Sequence, residues 1–507
     1  MRKNLLGVES RASHEERRLK RINKNDSVCV ALEDVAAGSE AFGVKILENV
    51  LFGHKIALKN IASGENIIKY GAPIGHATQD IPKGAHVHVH NCATNLKGME
   101  DYSYNPVNAP PKKIIANKSQ SEFQGYRRAF GKVGIRNEIW IINTVGCVNK
   151  TSERLAAKAK LIDGVDGVHA FVHPYGCSQL GEDHKHTRDV LINLALHPNA
   201  GGVLVLGLGC ENNGIEAFKE ALAETGELDP ERILFLNAQD VQNEEKEGAR
   251  LLEKLIKYAA NFKRESIPVS ELIIGLKCGG SDGLSGITAN PLIGAFSDAI
   301  ISEGGSALLT EVPEMFGAET LLMNRAVSRE VFDKTVELIN GFKKYFLRYG
   351  QEVYENPSPG NKTGGITTLE DKSLGCTQKG GESLVTDALN YGERLRTRGL
   401  NLLQGPGNDI VACTNLAAAG AHIILFSTGR GTPLGGPVPT FKISSSTALF
   451  NKKSAWLDYD AEFYIENAEL AAKNFYDCIM ATASGRLTKN EINGYREISI
   501  FKDGVIL

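Results

Sequence analysis

The sequence predicts an α/β protein, with a small β unit at the N-terminus followed by two α/β domains whose sheets are largely parallel. Three observations carry this expectation. Residues 25–96 hold short β-rich runs separated by turn residues. From Gly125 onward, apolar runs alternate with amphipathic helical stretches, the grammar of a parallel sheet with crossover helices. A chain of 507 residues also exceeds what one hydrophobic core organises.

The elements follow in order. Residues 1–24 are a charged tail, and its run from His14 to Lys24 reads as a solvated segment. In the β unit, Asp26 to Asp34 alternates in part, and Lys55-Ile-Ala-Leu and Asn66-Ile-Ile-Lys-Tyr are strand-like. Ser63-Gly64 and Pro82-Lys83-Gly84 supply turns. Residues 97–124, proline-rich and then polar, read as a linker. The first α/β domain, 125–264, takes strands at Ile139 to Asn143, Val168 to His173, Val203 to Leu206 and Ile233 to Leu236. Helices are expected over Ser152 to Lys160, His186 to Leu196, Ile215 to Glu224 and Glu244 to Phe262. A break at Ser266 to Ser270 opens the second, 265–507, with strands at Leu272 to Gly275, Ala307 to Thr310 and Ile423 to Phe426.

Bulk properties exclude several classes. A net charge of −3 provides no field to hold nucleic acid or an anionic membrane. No stretch of about 18 apolar residues appears, and Arg2 and Lys3 lead into no apolar signal segment. Nine cysteines scattered over a long chain fit a reducing cytoplasm better than a disulfide framework.

Five of those cysteines share a context: an apolar run, then Gly–Cys or a nearby cysteine, then polar or glycine residues. They are Cys147, Cys177, Cys210, Cys278 and Cys376. Ligands of open parallel sheets bind beyond the carboxyl ends of the strands, so the repeat points to one site lined by several thiols. Glu211, Asn212, Ser281, Asp282 and Gln378 would add polar contacts there. Neither a dinucleotide-binding G-x-G-x-x-G turn nor a Walker A loop is present. The loops Gly405 to Asp409, with Asn408, and Gly429 to Gly436, with Arg430, suit a carboxylate ligand.

His86, His88 and His90 alternate with valines. On a strand of period two they share one face, and neutral imidazole is a common metal ligand. A second polar cluster, His173 to His186, places His184 beside Glu182 and Asp183, groups suited to proton transfer.

Several long blocks carry a resemblance. Gly125-Tyr-Arg-Arg with Val133-Gly-Ile-Arg-Asn-Glu138, and His173-Pro-Tyr-Gly-Cys-Ser-Gln-Leu-Gly-Glu-Asp-His184, resemble the altronate/galactarate dehydratase family. So do Gly207-Leu-Gly-Cys-Glu-Asn-Asn213, Cys278 to Pro291, Glu311 to Glu319, Tyr354 to Lys362 and Ser427 to Pro433. The forms Val145-Gly-Cys-Val-Asn149 and Gly364 to Lys372 resemble its altronate-type members. The likeness runs from about residue 25 to 507. It implies an SAF-like β-clip domain at the N-terminus. It also implies dehydration of D-altronate to 2-dehydro-3-deoxy-D-gluconate in hexuronate catabolism, with iron(II) or manganese(II) as cofactor.

Dehydration across C2–C3 of an aldonate removes a proton alpha to a carboxylate, and a divalent ion stabilises the charge that develops. The expected metal ligands are His86, His88, His90 and Cys278. His184, Lys379 and Asp282 are the acid–base candidates. Arg430 would clamp the substrate carboxylate, with Ser281, Asn212, Gln378 and Asn408 as further contacts. The small unit is expected to dock over the α/β cleft as a lid. The expected partner is a small sugar acid, with no nucleic acid or membrane, and the chain is a candidate homo-oligomer. Related readings are galactarate dehydration, sulfolactate sulfo-lyase chemistry and an iron–sulfur hydro-lyase, although C-x-x-C spacing is absent. A sugar-acid-binding regulator is the non-enzyme alternative.

Overall fold

A computed structural model describes residues 18–107 and 121–507. Most of the expected tail and the middle of the expected linker lie outside them. Where the tail is described, Leu19–Lys20 pairs antiparallel with Val28–Ala31 and Leu19 is buried. The last part of the charged run therefore closes the edge of the β unit, because Leu19 covers apolar surface that would face water.

That unit is all antiparallel. One sheet orders Leu19–Lys20, Val28–Ala31, Lys55–Ala57 and His86–Val87, and another holds Asn66–Lys69, Ala72–Ala77 and Cys92–Ala93. Its apolar face does not close on itself alone. Val28, Ile67, Ile74 and Val87 share a core with Leu374 and Ala318 of the last domain, and Val30 packs with Leu284 and Ile287. At about 25 cal/mol per Å² of buried apolar surface, such contacts favour a docked arrangement.

The segment after it is no free linker. Tyr102 donates its O–H to Glu319, whose carboxylate also takes Lys343 Nζ at 2.9 Å, and Tyr104 donates to the Ala326 carbonyl at 2.7 Å. Residues 97–107 are thus fastened along the last domain. Past the gap, Glu122–Arg127 pairs antiparallel with Glu265–Pro268, so the end of the expected linker and the expected domain break form one small sheet.

The first α/β layer is a four-stranded parallel sheet, ordered Gly167–Phe171, Glu138–Asn143, Ala200–Gly207 and Ile233–Asn237. Its helices span Asn149–Lys158, Gly181–Ala195, Ile215–Glu224 and Glu244–Ala259. The second helix starts five residues before the expected His186, because Glu182 and Asp183 in its first turn suit a helix N-terminus. The larger sheet has seven parallel strands with Ile273–Cys278 at its centre, between Ser306–Leu309 and Ile423–Thr428. The two layers share one apolar cluster. Trp140, Leu191 and Val203 of the first join Leu403, Leu416 and Ile424 of the second. Among the described residues no helix is long and apolar enough to cross a membrane.

Candidate active site and metal centres

The β unit meets the larger sheet beside the carboxyl end of Ile273–Cys278, and chemistry-bearing groups concentrate there. Register explains the first group. Lys55 pairs with Val87 and Ile56 with His86, so His54 falls opposite His88 on the face that carries His86 and His88. The His54 and His88 rings lie 4.7 Å apart, and His54 Nδ1 sits 3.0 Å from His86 Nε2. One ring nitrogen from each of His54, His86 and His88 falls within 4.8 Å of the others.

The close group holds His54 beside His86 and His88, with His90 outside it. The strand stops at Val87 because the Asn91 side chain accepts from His88 N–H and donates to the His86 carbonyl, closing a turn. His90 is exposed beyond that turn with its ring 5.3 Å from that of His86, and His54 is the third imidazole of the close group.

These three rings fit a divalent ion. Burial lowers the pKa of all three, of His86 to about 4 and of His88 to about 3, so each offers a lone pair at neutral pH. His54 Nε2 lies 3.2 Å from the Thr363 carbonyl, a contact that places the proton on Nε2 and frees Nδ1. His88 Nδ1 is buried with no hydrogen-bond partner, an orphan that a metal would satisfy.

A second group lies behind the first. Cys278 Sγ and Cys376 Sγ are 3.3 Å apart, and Glu314 Oε2 lies 3.0 and 3.2 Å from them. Cys278 therefore joins Cys376 and Glu314, not the histidines, and the expected ligand set divides in two. Three buried lysines surround it. Lys277 pairs with Glu311, Lys379 with Glu311 at 3.2 Å, and Lys372 with Glu314 at 2.8 Å. Burial raises the Glu311 pKa, helped by the neighbouring Glu314 charge. Glu314 is also buried, yet Lys372 holds it well below the usual carboxylate range.

Beside the second group is a cavity of only about 10 Å³, lined by Tyr70, Ser281, Asp282, Ser285, Lys372 and Cys376 among others. That is room for one water. Over it, Asp371 bonds Lys55 at 2.8 Å and Lys69 at 2.9 Å, all three side chains being buried, so the β unit is held by a buried ion triad.

The remaining candidates separate. Ser281 Oγ is buried beside the cavity without a partner, and Gln378 is half-buried, donating to the Leu374 carbonyl. Arg430 is exposed on the rim, where it packs over Gly280 and donates to the Gly360 carbonyl at 2.7 Å. Asp282 is committed to its own turn, accepting from Leu284 and Ser285 N–H, from Ser285 Oγ, and from Ser445 Oγ at 2.9 Å. Those donors leave it poorly placed as a base. Lys379 is buried and paired with Glu311. Burial would lower its pKa, but the Cys278 and Glu311 charges override that and raise it, locking the ammonium in place. Asn408 caps the helix Asp409–Ala418, accepting from Val411 N–H. His184 and Asn212 belong to the first α/β layer, with His184 in the helix Gly181–Ala195 and Asn212 on an exposed loop.

The five strand-end cysteines likewise form two sets. Cys278 and Cys376 are buried at the junction, whereas Cys147, Cys177 and Cys210 are exposed on the first α/β layer. Cys278 ends the strand Ile273–Cys278, but Cys376 ends the helix Leu369–Cys376, so the shared motif marks strand ends at four of the five positions.

Comparison with known proteins fits this architecture. Residues 17–95 match the altronate/galactarate dehydratase SAF domain. Residues 125–260 match the D-galactarate dehydratase/altronate hydrolase second domain, and residues 269–506 the D-galactarate/altronate dehydratase C-terminal domain. The chain belongs to the altronate/galactarate dehydratase family. Within that family it is 52% identical to altronate dehydratase of Bacillus subtilis (strain 168), over 96% of this chain and 99% of that one. It is also 52% identical to altronate dehydratase of Escherichia coli (strain K12), with the same coverage. Galactarate dehydratase (L-threo-forming) of Escherichia coli is 32% identical over 92% of both chains. The family's SAF domain is thus the β unit that supplies His54, His86 and His88.

Proposed function

We propose that this chain is a carbon–oxygen hydro-lyase that dehydrates D-altronate to 2-dehydro-3-deoxy-D-gluconate in hexuronate catabolism, in a reducing cytoplasm. Full-length similarity to two altronate dehydratases, at 52% identity against 32% for the galactarate enzyme, supports the substrate. The observation that carries the chemistry is the neutral imidazole trio at the mouth of a lysine-rich junction.

His54, His86 and His88 would hold iron(II) or manganese(II). Such an ion supplies Lewis-acid charge for the carboxylate and for the enediolate that forms when the C2 proton leaves. The chain's own groups supply the rest. Lys372, buried and kept protonated beside Glu314, presents positive charge to an anionic substrate from the far wall. Arg430 on the rim is positioned for a bidentate carboxylate contact. Ser281 Oγ offers an unused hydroxyl to a substrate oxygen.

A six-carbon acid does not fit a cavity of about 10 Å³, so on this reading the β unit parts from the larger sheet to admit substrate and closes again. Closure then excludes water from the reacting carbons. The substrate assignment is tested by anaerobic turnover of the metal-loaded enzyme with D-altronate and galactarate side by side. D-altronate should show the far larger kcat/KM. Equal or reversed constants would sink the altronate assignment.

A further inference from the structure

Three thiols outside the junction remain unexplained. Cys147, Cys177 and Cys210 are exposed, whereas the other six cysteines are buried or half-buried. Cysteine is among the most buried residue types, so three exposed ones at one edge of one sheet is an unusual arrangement. They follow three adjacent parallel strands. Cys147 comes after the central Glu138–Asn143, Cys177 after Gly167–Phe171 and Cys210 after Ala200–Gly207. Neighbouring strands are about 4.8 Å apart, which brings the three loops side by side.

The loops are bonded to one another. Gly146 N–H donates to the Tyr175 carbonyl at 2.9 Å, Asn213 N–H to the Gly176 carbonyl at 3.1 Å, and Ser178 N–H to Asn212 Oδ1 at 3.0 Å. The buried Glu211 carboxylate ties the third loop to the first, accepting from Gly209 N–H at 2.7 Å and from Thr144 Oγ1 at 2.6 Å. Gly176 has φ +100°, and a Cβ there would sit 1.9 Å from the Thr144 carbonyl, so the approach needs glycine. Such bonding holds three thiols in a fixed relation. Two of the sulfurs already receive weak donors, Cys177 from Ser178 Oγ and Cys210 from Gln239 Nε2, both at 3.8 Å.

Their number and spacing limit the ligand. The three sulfurs are not mutually within 4.8 Å. A single tetrahedral zinc, with Zn–S near 2.3 Å, needs sulfurs about 3.8 Å apart. An iron–sulfur cube is wider and takes one thiolate per iron. A two-iron cluster takes two ligands on each iron, which three thiols do not complete.

We propose that Cys147, Cys177 and Cys210 bind a four-iron, four-sulfide cluster through three thiolates, leaving one iron without a protein ligand on the open face of the sheet. The absence of a C-x-x-C motif is no obstacle, because the ligands come from three separate strand ends. Cluster binding does not depend on the substrate assigned above.

The full chain, reconstituted anaerobically with ferrous iron and sulfide, should carry about four irons and four acid-labile sulfides with broad visible absorption. Cys147→Ser, Cys177→Ser and Cys210→Ser should each lose the labile sulfide, whereas His88→Ala and Cys278→Ala should keep it. Wild-type protein gives a second readout that needs no variant. Iodoacetamide should label the three thiols before reconstitution and spare them after it. Iron bound without sulfide, sulfide retained by the triple variant, or unchanged labelling would each overturn the proposal. A sulfide-loaded chain that fails to turn over D-altronate would overturn only the substrate assignment.

Discussion

His54→Ala and His88→Ala are each expected to lower turnover at limiting metal by at least ~100-fold, more than the ~10–100-fold typical of removing a partner behind the ligands. The reasoning is geometric. His54 and His88 face each other across an antiparallel pair, and the Thr363 carbonyl orients the His54 ring from the far side. Removing either leaves a two-histidine remnant that binds a divalent ion weakly. His90→Ala should have a much smaller effect, because that ring is exposed and lies outside the close group of three. Metal titration and turnover measured on the same preparations would check this. His88 is half-buried and leaves few contacts behind, so its melting temperature should barely move. Wild-type turnover by His54→Ala at limiting metal would mean that the histidine face holds no catalytic ion.

Asp371→Asn is expected to cost about 3–5 kcal/mol, the range for removing one partner of a buried ion pair. Asp371 answers two ammonium groups, Lys55 and Lys69, both buried and both from the SAF domain. Neutralising it strands two charges at the interface. Burial alone would raise its pKa, but the two lysines hold it well below the usual carboxylate range. A group depressed in this way contributes stability that is present above the unfolded value of about 3.9 and is lost as the pH falls below it. Wild type should therefore lose stability on acidification through that window, and Asp371→Asn should show a flatter dependence. Denaturant melts across pH would read both. A variant as stable as wild type, with the same acid slope, would show that the triad does not hold the two parts together.

Much of the fold was legible because periodicity is local. Alternating apolar runs and helical stretches marked both parallel sheets, and cysteine turns marked where their strands end. The site was less legible because it is made by register and docking. His54 stands alone in the sequence, and only the pairing of Lys55 with Val87 brings it to His88. Asp371 and Lys372 look like an ordinary helical acid and base until the SAF domain and Glu314 cover them. The turn that ends the histidine strand had a local sign, since Asn91 is a turn former three residues after His88. The partners of Lys379 and Asp282, Glu311 and the Ser285 turn, are likewise set by the fold and not by sequence proximity alone.

The stretch 97–107, held by Tyr102 and Tyr104 along the last domain, changes what happens if the chain is divided. A hinge fixed so near the β unit turns its departure into a swing about Leu96, with the unit at high effective concentration throughout. The grip does not depend on covalent continuity further along. A gene split between residues 107 and 121 would yield a short subunit that carries its own handle and a long one that carries the matching groove. The two should reassemble into a working heterodimer, whereas a split at residue 96 would leave the handle on the wrong piece.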